Sequence, residues 1–225
     1  SDTAITGAGE DRLFGDSGDD YLRSGAGNDL LTGGIGNDTL SGEAGNDTYL
    51  FAKGWGADVI NESGTAASDL TDVIQFSDVA STEVSFERRG DALILKRGTS
   101  GDQLTVNGFF TYYSATTPPA QVEQFRFTDT TLSVTTVISR AITYGTTAAD
   151  YLSAYYVPAG QTAYLGDGND SFQGSQFVDT ILGEAGDDSL QGYAGNDTID
   201  GGLGNDSLYA GDGNDTLRAG DGNDT

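Results

Sequence analysis

Two residue types that carry much of protein chemistry are missing: the 225 residues contain no cysteine and no histidine. Without cysteine there is no disulfide, no thiolate metal site and no cysteine nucleophile, although the redox compartment stays open. Without histidine the common zinc ligand, the usual general base and a serine-histidine-aspartate triad all go. Any metal must therefore be held by oxygen, which suits calcium or magnesium. Positive charge is scarce too, with 10 basic against 35 acidic residues and a formal net charge of −25. Such a chain is repelled by nucleic acid and by anionic membranes, so no nucleic-acid partner is expected. No stretch approaches the ~20 apolar residues of a membrane-spanning helix, so no transmembrane segment is expected. The opening SDTAITGAGED has neither the basic start nor the apolar core of a signal peptide. Helical periodicity is not convincing anywhere.

What is abundant is glycine, 34 residues, about twice the usual ~7%. It recurs with aspartate at a period of nine. Five units run without a gap through TGAGEDRLF (6–14), GDSGDDYLR, SGAGNDLLT, GGIGNDTLS and GEAGNDTYL (42–50). A second block runs from LGDGNDSFQ (165–173) through GSQFVDTIL, GEAGDDSLQ, GYAGNDTID, GGLGNDSLY and AGDGNDTLR to AGDGNDT (219–225). In each unit the glycines let six residues turn tightly, and the last three form a short strand with one inward side chain. Those inward positions are Leu13, Leu22, Leu31, Leu40 and Tyr49, then Phe172, Ile181, Leu190, Ile199, Leu208 and Leu217. Two units make one coil, so loops eighteen residues apart stack on one edge. Asp11, Asp29 and Asp47 form one column and Asp20 and Asp38 another; Asp170, Asp188, Asp206 and Asp224 form a third, and Asp179, Asp197 and Asp215 a fourth. One apolar side chain per nine residues is a thin core, and stacked aspartates repel. Bound cations between loops would remedy both.

The nonapeptide resembles the calcium-binding unit of the repeats-in-toxin (RTX), haemolysin-type family. That resemblance implies an all-β fold of two right-handed parallel β-rolls flanking a β-rich capping segment. It also implies calcium as cofactor, several ions sitting between stacked loops. The ligands would be carboxylates of Asp11, Asp20, Asp29, Asp38, Asp47, Asp58, Asp170, Asp179, Asp188, Asp197, Asp206, Asp215 and Asp224. Backbone carbonyls would come from the turns at Gly7, Gly9, Gly25, Gly27, Gly34, Gly36 and Gly45 in the first block. In the second they would come from Gly166, Gly168, Gly186, Gly195, Gly202, Gly204, Gly211 and Gly213. Neighbouring loops number about three pairs in the first block and about five in the second, and about eight divalent ions would cancel most of the acidic charge. Two loops depart from the pattern. GSQFVDTIL places Phe177 at the second turn glycine, and GTTAADYLS (145–153) keeps Asp150 and Leu152 but has Ala148 there. Both are expected to be metal-poor, the latter as a capping coil.

Residues 51–143 lose the strict period but keep β-character, with strands expected at 58–61, 72–76, 83–88, 92–97, 103–107, 122–128 and 132–138. KGWGADVIN (53–61) preserves Gly54, Gly56, Asp58 and Ile60 after a two-residue insertion, so the roll runs on. Asp58 then extends the Asp20–Asp38 column by a twenty-residue step, and Asp72 is expected to extend it further. Tyr49-x-Phe51, GWGAD, Ile60-x-Glu62 and Asp72-x-Ile74-x-Phe76 resemble the β-segment that follows the repeats in many RTX proteins, which implies a cap with Trp55 and the phenylalanines as core. GFFTYYSATTPPAQ (108–121) carries Phe109, Phe110, Tyr112 and Tyr113, a candidate surface for a sugar or protein partner, weighed against burial of alternate rings. Arg88, Arg89, Lys96 and Arg97 gather scarce positive charge in one hairpin and are expected to balance the acidic rolls.

The domain boundaries expected are 1–61 for the first roll, 62–143 for the cap and 144–225 for the second roll. No nucleophile motif or phosphate loop accompanies the carboxylates, so no enzyme is expected. The family implies a calcium-binding module that folds after type I secretion and stabilises a larger secreted or cell-surface bacterial protein. The alternative is an adhesin or surface-layer module whose middle segment recognises a host or bacterial surface glycan or protein. Ending within a unit at Asp224-Thr225, and without the family's C-terminal secretion signal, the chain is expected to be a fragment.

Overall fold

The computed structural model describes residues 1–62, 71–110, 122–155 and 157–225. The chain divides into two compact units: Ser1–Phe86 with Asp91–Val137, and Glu87–Gly90 with Ile138–Thr225.

The first unit is a two-sheeted parallel roll continued by additional strands. Its repeat strands are β1 (Thr3–Ile5), β2 (Arg12–Phe14), β3 (Tyr21–Ala26), β4 (Leu30–Thr32), β5 (Thr39–Ala44), β6 (Thr48–Phe51), β7 (Ala57–Ile60) and β8 (Val73–Phe76). They are followed by β9 (Val84–Arg89), β10 (Ala92–Arg97), β11 (Gln103–Val106), β12 (Gln124–Arg126) and β13 (Thr131–Ser133). Because each unit passes the chain to the opposite face, the sheets interleave: β1-β3-β5-β7-β11-β10 on one side and β2-β4-β6-β8-β12-β13 on the other. Parallel partners lie eighteen residues apart, Leu22 opposite Leu40 and Leu13 opposite Leu31. At the insertion the step lengthens to twenty, Leu40 opposite Ile60. Both sheets then run on into the middle segment, through parallel pairing of β7 with β11 and β8 with β12.

The inward residues stack as the period requires. Leu22, Leu31, Leu40 and Tyr49 are fully buried. Beyond Tyr49 aromatic rings widen the core: Trp55 lies 5.3 Å from Phe76, which stacks on Phe127 at 4.8 Å, with Phe86 edge-on to Phe127. Trp55 and these phenylalanines are core, as the flanking motif implied. Phe109 and Phe110 are buried as well, Phe109 edge-on to Phe125 at 6.1 Å. Both rings are therefore core rather than surface; Tyr112 and Tyr113 lie outside the described residues.

One expected strand is corrected. Residues 132–138 are not extended throughout, because the chain turns into helix α1 (Val134–Arg140) straight after β13. β-branched residues favour strands, but Ser133 Oγ accepts the Thr136 amide at 3.3 Å, an N-cap that starts the helix. Burial of Val137 and Ile138 then holds it.

The second unit repeats the construction with β14 (Ile142–Tyr144), β15 (Tyr151–Ser153), β16 (Thr162–Tyr164), β17 (Ser171–Gln173), β18 (Thr180–Leu182), β19 (Ser189–Ala194), β20 (Thr198–Leu203), β21 (Ser207–Asp212) and β22 (Thr216–Asp221). Residues Glu87–Arg89 pair with β14, followed by β16-β18-β20-β22, while β15-β17-β19-β21 form the facing sheet. Phe172, Ile181, Leu190 and Ile199 are buried, whereas Leu217 is 46% exposed because β22 has a strand neighbour on one side only. Arg88 is buried here, donating to the carbonyls of Gly90 and Ser153.

Candidate metal centre

The loop geometry follows from where side chains do not fit. In GGIGND, Gly34 and Gly36 take φ of 108° and 150°, and in four other loops the second-position residue is not glycine but Asp16, Glu43, Glu184 or Tyr193, still held at φ of 65–74°. The first-position glycine is needed for space instead. A methyl on Gly15 would lie 2.5 Å from Asp20 Oδ2 and 2.6 Å from the carbonyl of Gly33 in the next coil. One on Gly174 would lie 2.6 Å from Asp179 Oδ2 and 2.7 Å from the Gly192 carbonyl. Each loop thus keeps a small cradle, walled by its own carboxylate and by a carbonyl of the neighbouring coil.

Each column aspartate uses its two oxygens differently. Oδ1 accepts the backbone amide of the aspartate one coil earlier: Asp11 to Asp29, Asp29 to Asp47, Asp20 to Asp38, and in the second unit Asp170 to Asp188, Asp188 to Asp206 and Asp206 to Asp224, at 2.8–3.0 Å. Asp179 to Asp197 and Asp197 to Asp215 complete the fourth column. Asp58 joins the Asp38 column as expected, at 2.8 Å. Asp72 does not follow it: Asp72 Oδ1 accepts the Asp47 amide at 2.7 Å, so Asp72 extends the other column. The reason is alternation, since β8 comes one unit after β7 and must return to the sheet of β6. Glu123 continues this column, its Oε2 accepting the Asp72 amide at 2.6 Å.

Oδ2 is the informative atom. In Asp20, Asp29, Asp38, Asp58, Asp170, Asp188, Asp197 and Asp206 it is buried and has no hydrogen-bond partner. Orphaned buried anionic oxygens are costly, and they recur here at a fixed period. Several of the chain's own cations are engaged elsewhere: Arg97 with Asp102 at 2.8 Å, Lys53 with Glu83 at 3.2 Å, Arg23 with Glu43. Burial raises the carboxyls of Asp38, Asp170 and Asp197, pushes Asp188 up to about 6 and Asp58 up to about 8, with neighbouring carboxylates adding to the rise. An anionic oxygen, cradle carbonyls and no nitrogen or sulfur donor form a donor set suited to calcium.

The expected carbonyl donors sit on these turns. Those of Gly7 and Gly166 already accept ladder bonds from Ala26 and Ala185, leaving each a second lone pair. The first-position carbonyls of Gly33, Gly192, Gly201 and Ala210, absent from the expected set, are the ones facing Oδ2. An outer ladder runs alongside: fifth-position side chains accept the amide one coil away, Asn28 from Asn46, Asn169 from Asp187 and Asp187 from Asn205.

The two irregular loops are closed by hydroxyls. Asp179 Oδ2 accepts the Ser175 amide at 2.6 Å, and Ser175 Oγ donates to both its oxygens at 2.9 and 3.1 Å. Asp150 Oδ2 likewise accepts the amide and hydroxyl of Thr146. Serine or threonine at the second position supplies the donor that a consensus loop lacks.

Among protein families, the RTX calcium-binding nonapeptide repeat (4 copies) matches residues 1–31, 14–49, 164–199, 173–208 and 191–225. The haemolysin-type calcium binding protein related domain matches residues 93–136. No curated protein matches the chain. Among solved structures 11 chains match. One is the extracellular lipase LipA from Serratia marcescens, 20% identical over 96% of this chain with a TM-score of 0.29; the chain spans 32% of that lipase.

Proposed function

Because the chain belongs to the RTX family of haemolysin-type calcium-binding repeat proteins, we propose that its calcium-binding β-rolls are the folding module of a larger secreted or cell-surface bacterial protein, exported unfolded by a type I system and ordered by calcium outside the cell. The observation that carries this reading is the buried, unpartnered Oδ2 repeated from coil to coil. Where calcium is scarce, closing the rolls would bury like charges in columns; where it is plentiful, each ion supplies the missing counter-charge, so binding free energy becomes folding free energy. The ions sit between consecutive loops of a column, held by the aspartates and by turn carbonyls. The loops of Asp150 and Asp179 close without one, through Thr146 and Ser175. The proposal assigns the chain a structural role and no catalysis. It does not rest on glycan recognition: Phe109 and Phe110 are buried, and Tyr112 and Tyr113 lie outside the described residues.

The stabilising role is tested by fusing a passenger domain to the chain and diluting the fusion from denaturant into calcium or into chelator. Passenger refolding should rise with calcium through the same range that orders the rolls. Equal yields in both conditions would remove the stabilising role.

A further inference from the structure

In regular coils the fourth-position amide goes to a backbone carbonyl of the following coil, Gly9 to Ala26, Gly18 to Ile35 and Gly27 to Ala44. The loop of Asp58 is followed by no nonapeptide loop, because the next strand paired with β7 is β11 of the β10–β11 hairpin. Its amides turn to a side chain instead: Gly56 donates to Asp102 Oδ1 at 3.3 Å and Gly54 to Asp102 Oδ2 at 3.1 Å. Asp102 is buried like the column aspartates, but it has a cation of its own. Arg97 brings Nε and Nη2 to its Oδ2, each at 2.8 Å. Burial would raise the Asp102 carboxyl, yet the Gly54 amide, the Arg97 guanidinium and the Gly56 amide hold it below its ordinary value, whereas burial raises Asp38 and Asp58. The pair is also local. Its members are five residues apart, in a turn closed by the Arg97 amide on the Asp102 carbonyl at 3.0 Å and the Ser100 amide on the Arg97 carbonyl at 3.2 Å. The same guanidinium lies 6.0 Å from the centre of the Trp55 ring, the buried third residue of the Asp58 loop.

We propose that the Arg97 guanidinium is a built-in substitute for calcium at this loop: it supplies the counter-charge of Asp102 from the chain itself, so the Asp58 loop and the β10–β11 hairpin close without metal and give the calcium-dependent coils an ordered edge to grow from. This rests on the reading of calcium as the agent that orders the rolls. Consensus loops bury an aspartate oxygen that has no protein partner, so their closure waits for an ion. The Asp102 carboxylate has its partners in place, through charge-assisted bonds roughly twice as strong as neutral ones. Contacts between residues so close in sequence cost little loop-closure entropy and form early. With β7 held against β11, β5 has a strand to dock on, and the roll is built back from there toward β1.

Trp55 is the single tryptophan of the chain, so tryptophan emission of the whole chain in excess chelator tests the proposal. Wild-type Trp55 should emit at or near its calcium-loaded wavelength while circular dichroism shows the rolls unformed, and should shift to the wavelength of the denatured chain only when denaturant is added. Arg97→Met keeps the apolar stem and removes the charge; its emission should lie at the denatured-chain wavelength in chelator and return to the buried one in saturating calcium. Solvent-exposed Trp55 in wild type in chelator would overturn the proposal, as would an Arg97→Met chain whose Trp55 stays buried there. If Arg97→Met does not fold even in saturating calcium, Arg97→Lys decides: it keeps a cation for Asp102, so Trp55 should stay buried in chelator, and its exposure overturns the proposal. A β-signal already complete in chelator would instead overturn the underlying reading of calcium-driven folding.

Discussion

Replacing Asp188 by asparagine separates the two roles of a column aspartate. Asp188 sits mid-column, its Oδ1 accepting the Asp170 amide at 2.8 Å and its own amide donating to Asp206. Asparagine preserves that ladder and the shape of the loop. It removes only the charge on the buried oxygen that no protein group satisfies. If that oxygen is a calcium ligand, the variant loses at least one site. A site at a hundredfold excess of calcium over its Kd contributes about 2.7 kcal/mol, and at roughly 4–8 °C per kcal/mol for a unit of this size the melting temperature should fall by about 10–20 °C. Asp187→Asn is the control, an exposed fifth-position change that keeps the acceptor for the Asn205 amide. Thermal melts by circular dichroism in saturating calcium read both. An Asp188→Asn chain as stable as wild type would refute the reasoning, because the ladder alone would then account for the aspartate.

In chelator, acidification should promote β-structure. The folded-state carboxyls of Asp188 and Asp58 are raised to about 6 and about 8, so the calcium-free fold binds protons more tightly than the unfolded chain. Their contribution is complete below about pH 4 and is lost as the pH rises through those values; a circular dichroism series in chelator that shows less β-structure at pH 5 than at pH 8 would contradict it. Ser175→Gly combined with Phe177→Gly removes the hydroxyl that closes the Asp179 loop and restores the consensus turn, so the variant should bind one more calcium ion than wild type in equilibrium dialysis, and unchanged stoichiometry speaks against hydroxyl substitution. Gly183→Ala needs no unusual backbone angle but drives a methyl into Asp188 Oδ2 and the Gly201 carbonyl; it should cost about 1–3 kcal/mol in calcium by thermal denaturation, and wild-type stability would show that the cradle is not tight.

The rolls were legible because a nine-residue period dictates both the inward side chain and the coil-to-coil register. Leu22, Leu31 and Leu40 are buried where the period places them, and Asp58 falls in its column despite the two-residue insertion. Asp72 lies in the column of Asp47 and not of Asp58, because the sheets alternate from unit to unit and sequence neighbours do not disclose that. The helix at Val134–Arg140 was hidden by its β-branched composition, although Ser133 was a visible N-cap. The hydroxyl closures could have been found, since both irregular loops carry serine or threonine directly after their first glycine. Glu62 carries no periodic signal, and its burial emerges only when β7 docks on β5. Burial of Phe109 and Phe110 likewise depends on long-range packing that a cluster of aromatics does not disclose.

The central claim is that calcium supplies the counter-charge without which these columns cannot close. Far-ultraviolet circular dichroism of the chain at about pH 7.5, near physiological pH, titrated with calcium from excess chelator, measures it directly. The account predicts a weakly structured chain in chelator and a cooperative gain of β-signal as calcium rises. Full β-signal in chelator, unchanged by calcium, would contradict it.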